Sequence, residues 1–240
     1  MRAALLTAAV SVVALAAPAG AEAASVELMV VGKERVLREA APVKLRARTV
    51  RVGGRRCAVG KTTPLSALAG TRLRLRVKDY GSCGRSAADA GALYVTQVGR
   101  DRRGGPRGWV YKVGRRAGTT GAADPAGPFG TGRRLRAGQR LLWFWCVQDR
   151  AAGCQRTLEA RPERQTVAPG TPLRVRVRGY DDNGRGVPVA GAIVRLGAEQ
   201  ATTGVDGVAT VPAPPLPGVA RLTAERDGMV RAFPRRVIVG

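Results

Sequence analysis

Apolar residues recur at every second position along several stretches of this chain. VKLRARTVRV at 43–52, TRLRLRVKDY at 71–80 and LRVRVRGY at 173–180 set Val, Leu and Tyr between arginines and lysines. A period of two places apolar side chains on one face and charged ones on the other, the signature of a half-buried strand. Glycine and proline punctuate these runs at short intervals, so the pattern predicts a mostly β chain. One short helix is expected at 63–69. Thr63 suits its N-cap, Pro64 its first turn and Gly70 its exit, with Leu65 and Leu68 on the buried side. In LLWFWC, Leu141, Trp143 and Trp145 point one way and Leu142, Phe144 and Cys146 the other. Such a strand is either buried on both sides or presents one exposed aromatic face. GTTGAADPAGPFGTG at 118–132 reads as a long loop, a place where function concentrates.

The amino terminus breaks the alternation. MRAALLTAAVSVVALAAPAGAEAAS carries Arg2, an apolar run from Ala3 to Ala17 and a small-residue site at Ala21-Glu22-Ala23. This is the layout of an export signal over residues 1–23, too short and too alanine-rich to span a bilayer. The expectation is a secreted protein, extracellular or cell-surface associated, with no membrane span and no carboxy-terminal anchor. An oxidising compartment lets the four cysteines pair. Three connectivities are open, and proximity favours Cys57–Cys83 and Cys146–Cys154. By loop entropy these contribute roughly 3–4 and 2–3 kcal/mol. A four-cysteine zinc site is the alternative, but no CxxC spacing supports it, so no metal is expected.

The chain has no histidine, which removes the usual Ser-His and Cys-His machinery. Its formal net charge of +24 comes mainly from arginines scattered along both halves. They fit solvated strand faces, with loose, non-specific attraction to acidic polymers. Aromatics are few, so no specific nucleic-acid site is expected. The Ala-Gly-Arg bias fits a bacterial, high-GC origin. Asp79, Asp89, Asp101 and Asp124 lie in or beside turns; a carboxylate-based hydrolase is the catalytic alternative, and turn capping the ordinary role. DDNGRG at 181–186 lacks the spacing of a calcium loop and reads as a polar hairpin turn, with calcium bridging at a domain junction as its alternative.

Two domains are expected, 24–160 and 161–240, joined by a polar connector near 158–166 and folding independently. All the cysteines and tryptophans fall in the first.

TTPLSALAG, GALYVTQVGRD, GWVYKVGRRAGTTGAAD and LRAGQRLLWFW follow one another between residues 55 and 147. In that order they resemble the carboxy-terminal domain of transcobalamin and its bacterial relatives, soluble-ligand-binding β-grasp modules. The insert AADPAGPFGTG and the two disulfides depart from that pattern. VPVAGAIVRLGAEQATTGVDGVATVP and GVARLTAERDGMVRAFPRRVIVG, with hairpin turns at Asp206-Gly207 and Asp227-Gly228, resemble a bacterial immunoglobulin-like or carboxypeptidase-regulatory-like β-sandwich. The resemblances imply an α+β β-grasp-like domain followed by an Ig-like antiparallel sandwich. They imply a non-enzymatic protein that binds a small ligand or a cell-surface partner; the chain is expected to be monomeric and to need no cofactor. A corrinoid is the ligand the transcobalamin likeness brings with it. The candidate binding residues are Trp109 and Tyr111, two apart on one strand face, and Phe129 on the glycine-rich loop. The alternative for Phe129 is a plug at the open end of the domain.

Overall fold

The computed structural model describes residues 24–81, 83, 91–149 and 153–240. The segment 1–23, expected to be an export signal, and Asp89 lie outside these residues. The fold is mostly β, as the alternation predicts.

The first unit is built on a five-stranded sheet. Its strands are β1 (Ser25–Val31), β2 (Val36–Lys44), β8 (Arg107–Val113), β9 (Arg116–Ala117) and β10 (Arg140–Val147), in the order β2-β1-β10-β8-β9. β1 and β10 run parallel at the centre, and antiparallel partners flank them. This is a β-grasp arrangement. A parallel pair needs a long crossover, and the crossover here carries the rest of the unit. It comprises the hairpin β3 (Arg48–Val52) and β4 (Arg55–Val59), helix α1 (Pro64–Ala69), and the small sheet β5 (Leu75–Asp79), β6 (Leu93–Val98) and β7 (Asp101–Arg102). The Thr63 hydroxyl accepts from the Ser66 amide at 3.3 Å, and Leu65 and Leu68 are fully buried, so the expected helix forms with its expected cap. The run 43–52 is not one strand. It divides at Leu45–Ala47, where the chain leaves the main sheet for the hairpin and the Leu45 amide bonds to Ala24 O.

The second unit is a sandwich. One sheet holds β11 (Thr157–Pro162), β13 (Pro172–Tyr180), β14 (Gly186–Pro188) and β17 (Val208–Pro212), all joined through β13. The other runs β12 (Thr166–Val167), β19 (Arg235–Val239), β18 (Gly218–Glu225), β15 (Ile193–Leu196) and β16 (Glu199–Thr202). Leu173, Val175, Val177, Val194, Leu196, Leu222 and Val237 fill the space between them. The stretch read as a connector is in fact strand: Leu158 and Ala160 of β11 already belong to this core. The chain therefore passes from one unit to the other between Cys154 and Thr157.

A third apolar cluster joins the units. Met29, Leu142, Phe144 and Cys146 lie on the face of the main sheet opposite the first core and meet Cys154, Val230 and Phe233. Leu141, Trp143 and Trp145 enter the first core. LLWFWC is thus buried on both faces, the first of the two arrangements its pattern allows. Both disulfides form, Cys57–Cys83 and Cys146–Cys154. The second sits at the seam itself.

Candidate functional site

Strand β8 sends alternate side chains to opposite destinations. Trp109, Tyr111 and Val113 enter the first core, and Val110 and Lys112 face the seam. The register sets Trp109 opposite Trp145 and Tyr111 opposite Trp143. Trp109 meets Trp145 edge-on at 5.7 Å, and its indole N–H donates to Asp101 O at 2.9 Å. The Tyr111 hydroxyl shares its proton between Thr120 O at 2.9 Å and Pro128 O at 3.3 Å. Burial pushes its phenol pKa up. Gly118 crosses the same ring so closely that a Cβ there would fall 2.1 Å from it, which explains a glycine at the loop entrance. Trp109 and Tyr111 are 3% and 6% exposed. Tyr111 holds the 118–132 loop down on the strand, and Trp109 ties the strand to Asp101.

Phe129 differs. One side packs against the first core, as a plug would. The Arg116 guanidinium lies 5.1 Å from its ring centre, and Phe129 also lines a groove of about 600 Å³. Val113, Arg115, Arg116, Gln139 and Arg140 of the first unit and Asn183 and Gly184 of the second complete that groove. Of the three residues the sequence singles out, Phe129 alone reaches it. The groove exists because the second unit closes it: the Ala117 amide of edge strand β9 donates to Asp182 O at 2.9 Å.

Two polar side chains that sequence reasoning missed hold the groove walls together. Lys112 is fully buried at the seam. Its ammonium donates to Asp181 O at 2.9 Å, Tyr180 O at 3.1 Å and Thr157 Oγ1 at 3.3 Å, and the Asp182 carboxylate lies 3.4 Å away. Burial pushes its pKa down, and the neighbouring Asp182 charge pulls it back up. Lys112 pairs opposite Leu142, on the same apolar face as Phe144, a placement that only the strand register reveals. Glu159 is the second. It accepts from Arg115 at 2.7 Å, Arg161 at 2.8 Å and Arg235 at 2.9 Å. Arg161 lies two residues along the same strand, but nothing local in the sequence brings Arg115 and Arg235 to Glu159.

Burial alone would raise the Glu159 carboxyl, but hydrogen bonds from Arg115 and Arg161 outweigh it and hold the pKa at about 2 against an ordinary 4.5. A depressed carboxyl stabilises the fold above its unfolded value and loses that contribution as it takes up a proton. Acid titration from pH 5 to pH 2 should therefore remove about 1–2 kcal/mol that depends on Glu159, allowing for solvent screening. Denaturation midpoints at pH 6 and pH 2.5 check it: Glu159→Gln should lower stability at pH 6 and shrink the difference between the two.

The turn carboxylates are engaged in local structure. Asp79 pairs with Arg55 and accepts from the Gly81 and Cys83 amides. Asp101 accepts from the Lys33 amide and Asp124 from that of Ala126. In the 181–186 turn Asp181 accepts from the Arg185 amide and Asp182 from that of Cys154, so the segment is a hairpin turn bonded to the seam. Among the described residues, no three His, Cys, Asp or Glu side chains gather as a metal group would require.

No family model and no curated protein matches this chain. Among solved structures, the chain is similar to the "D00-D0 domain of Intimin", at 13% identity and a TM-score of 0.28, over 82% of this chain and 94% of that one. A likeness that slight bears on neither fold nor function.

Proposed function

We propose that this chain is a secreted, non-enzymatic binding protein that engages a small soluble ligand or a cell-surface partner in the groove at Phe129. The observation that carries this reading is an aromatic side chain on the rim of a groove that both units line. Aromatic surface beside charged groups is what recognition sites use. Arg116 and Arg140 give the groove a positive wall, so an apolar body carrying an acidic group fits it best. The two disulfides suit an oxidising compartment. The order of blocks resembling the transcobalamin carboxy-terminal domain supports ligand binding without chemistry, and the second unit serves as groove wall and spacer. Among the described turn carboxylates, Asp79 is occupied by Arg55 and amides and Asp101 and Asp124 by amides, which leaves them poorly placed as an acid–base pair.

Native mass spectrometry of the protein purified from its own secretion tests the reading. A bound small molecule, or a discrete partner mass, should accompany the wild type. Phe129→Ala should weaken it at least tenfold while shifting the melting temperature by only a few degrees. Equal occupancy in the variant would move the site elsewhere.

A further inference from the structure

The outward face of β13 carries a line of three arginines, with one carboxylate, Glu159, across from its Arg178 end. Leu173, Val175 and Val177 point into the sandwich, Arg174 and Arg176 stand exposed on the other face, and Arg178 beside them is half-buried and donates to Gly186 O. Alternate residues on a strand stand about 6.5–7 Å apart, so the three arginines rise from a row of about 13 Å along the backbone. On the neighbouring strand Arg161 stands directly opposite Arg176 and Glu159 opposite Arg178, but the Glu159 carboxylate pairs with Arg115, Arg161 and Arg235 and with none of the three β13 arginines. On the other side, Thr210 and Val208 face Arg174 and Arg176 and supply no carboxylate. Arg115 lies over the Tyr180 ring at 4.5 Å and closes one end of the row. The result is a groove of about 470 Å³ lined by five arginines, with Glu163 the one lining carboxylate.

The opposing sheet of the same unit is handled differently. There Arg195 meets Glu225, Arg221 meets Glu39 and Arg235 meets Glu159. Among the described residues, Arg174, Arg176 and Arg178 make no ion pair with a carboxylate. Like charges directly opposite on a strand pair are destabilising, and Arg161 and Arg176 are exposed, so packing does not require either. A row of evenly spaced guanidinium groups is matched by a row of evenly spaced oxyanions, which guanidinium recognises by paired N–H donors. The one aromatic ring in the groove, Tyr180, is covered by Arg115. Base stacking, on which single-stranded nucleic acid binding depends, has no platform here.

We propose that the outward face of β13, with Arg174, Arg176 and Arg178 in line and Arg161 beside them, binds a linear anionic glycan bearing carboxylate or sulfate groups at regular intervals. The surface shares only Arg115 with the Phe129 groove and stands whether or not that groove binds a ligand.

The test compares alginate and dextran sulfate with neutral dextran and oligo-dT, by titration at 0.15 M salt. The double variant Arg174→Thr/Arg176→Thr keeps strand-forming residues at exposed positions. Arg51→Thr/Arg56→Thr removes the same charge from an exposed cross-strand pair in the first unit. The wild type should bind one or both anionic glycans and not neutral dextran. The β13 variant should bind at least tenfold more weakly and with a shallower salt dependence, the control should change less than twofold, and Phe129→Ala should not change at all. Equal losses in the two double variants would reduce the effect to net charge and overturn the proposal. So would the absence of glycan binding, or tighter binding of oligo-dT. Arginine-selective modification of the wild type gives an answer without any variant. Bound alginate or dextran sulfate should protect Arg174 and Arg176 and leave Arg51 and Arg56 reactive, and uniform protection would overturn the assignment.

Discussion

Lys112→Met is expected to lower the unfolding free energy by about 3–5 kcal/mol, the cost of breaking a buried charge arrangement from one side. Methionine keeps most of the stem and its contact with Phe144, so packing changes little. What is lost is the ammonium. The carbonyls of Tyr180 and Asp181 would remain in the seam without their donor, and Asp182 would lose its countercharge. Unsatisfied buried acceptors cost more than a hydrogen bond contributes. Arginine would not rescue the site, because a larger planar group does not fit a position with no exposed surface. Guanidinium denaturation of the two proteins provides the measurement. A loss below about 1 kcal/mol would mean that Lys112 does not hold the units together.

Cys57→Ser/Cys83→Ser should cost about 3–4 kcal/mol, from the entropy of the 26-residue loop that the bond closes in the unfolded chain. Cys57 is fully buried in the first core beside Val59 and Leu65, so the serine hydroxyl adds a desolvation cost of its own. The shorter link, Cys146–Cys154, closes a loop of 8 and should matter less, about 2–3 kcal/mol. Thermal melting of both double variants ranks them. The reverse order would mean that the seam, and not loop entropy, governs the worth of these bonds.

The parts of the fold that were legible in the sequence are those in which one local rule decides. Thr63, Pro64 and Gly70 placed the helix because capping is settled within one turn. The alternation in LRVRVRGY named both faces of β13 because a sandwich strand has one wet side. What stayed hidden depends on residues far apart in the chain. The lysine in GWVYKVG looks like the polar half of an alternation. It is buried because Thr157, Tyr180 and Asp181 come from 45 to 69 residues away to surround it. Glu159 sits in a stretch whose polarity reads as a connector, yet the stretch pairs with β13 in the second unit, and Arg115, Arg161 and Arg235 neutralise the carboxylate. The pairing of Trp109 and Tyr111 on one face was readable. Which side of the sheet that face covers was set by α1 and the small sheet that close the first core.

The expectation of independent folding rests on a change of pattern near residue 160, and the seam gives a physical reason against it. Unfolding in guanidinium, followed together by tryptophan fluorescence and by amide exchange in β13 and β18, tests the coupling most directly. All three tryptophans lie in the first unit and both strands in the second. Coincident transitions in the wild type, separating in Lys112→Met, are the predicted result; two separate transitions in the wild type would contradict a groove whose walls are held as one body.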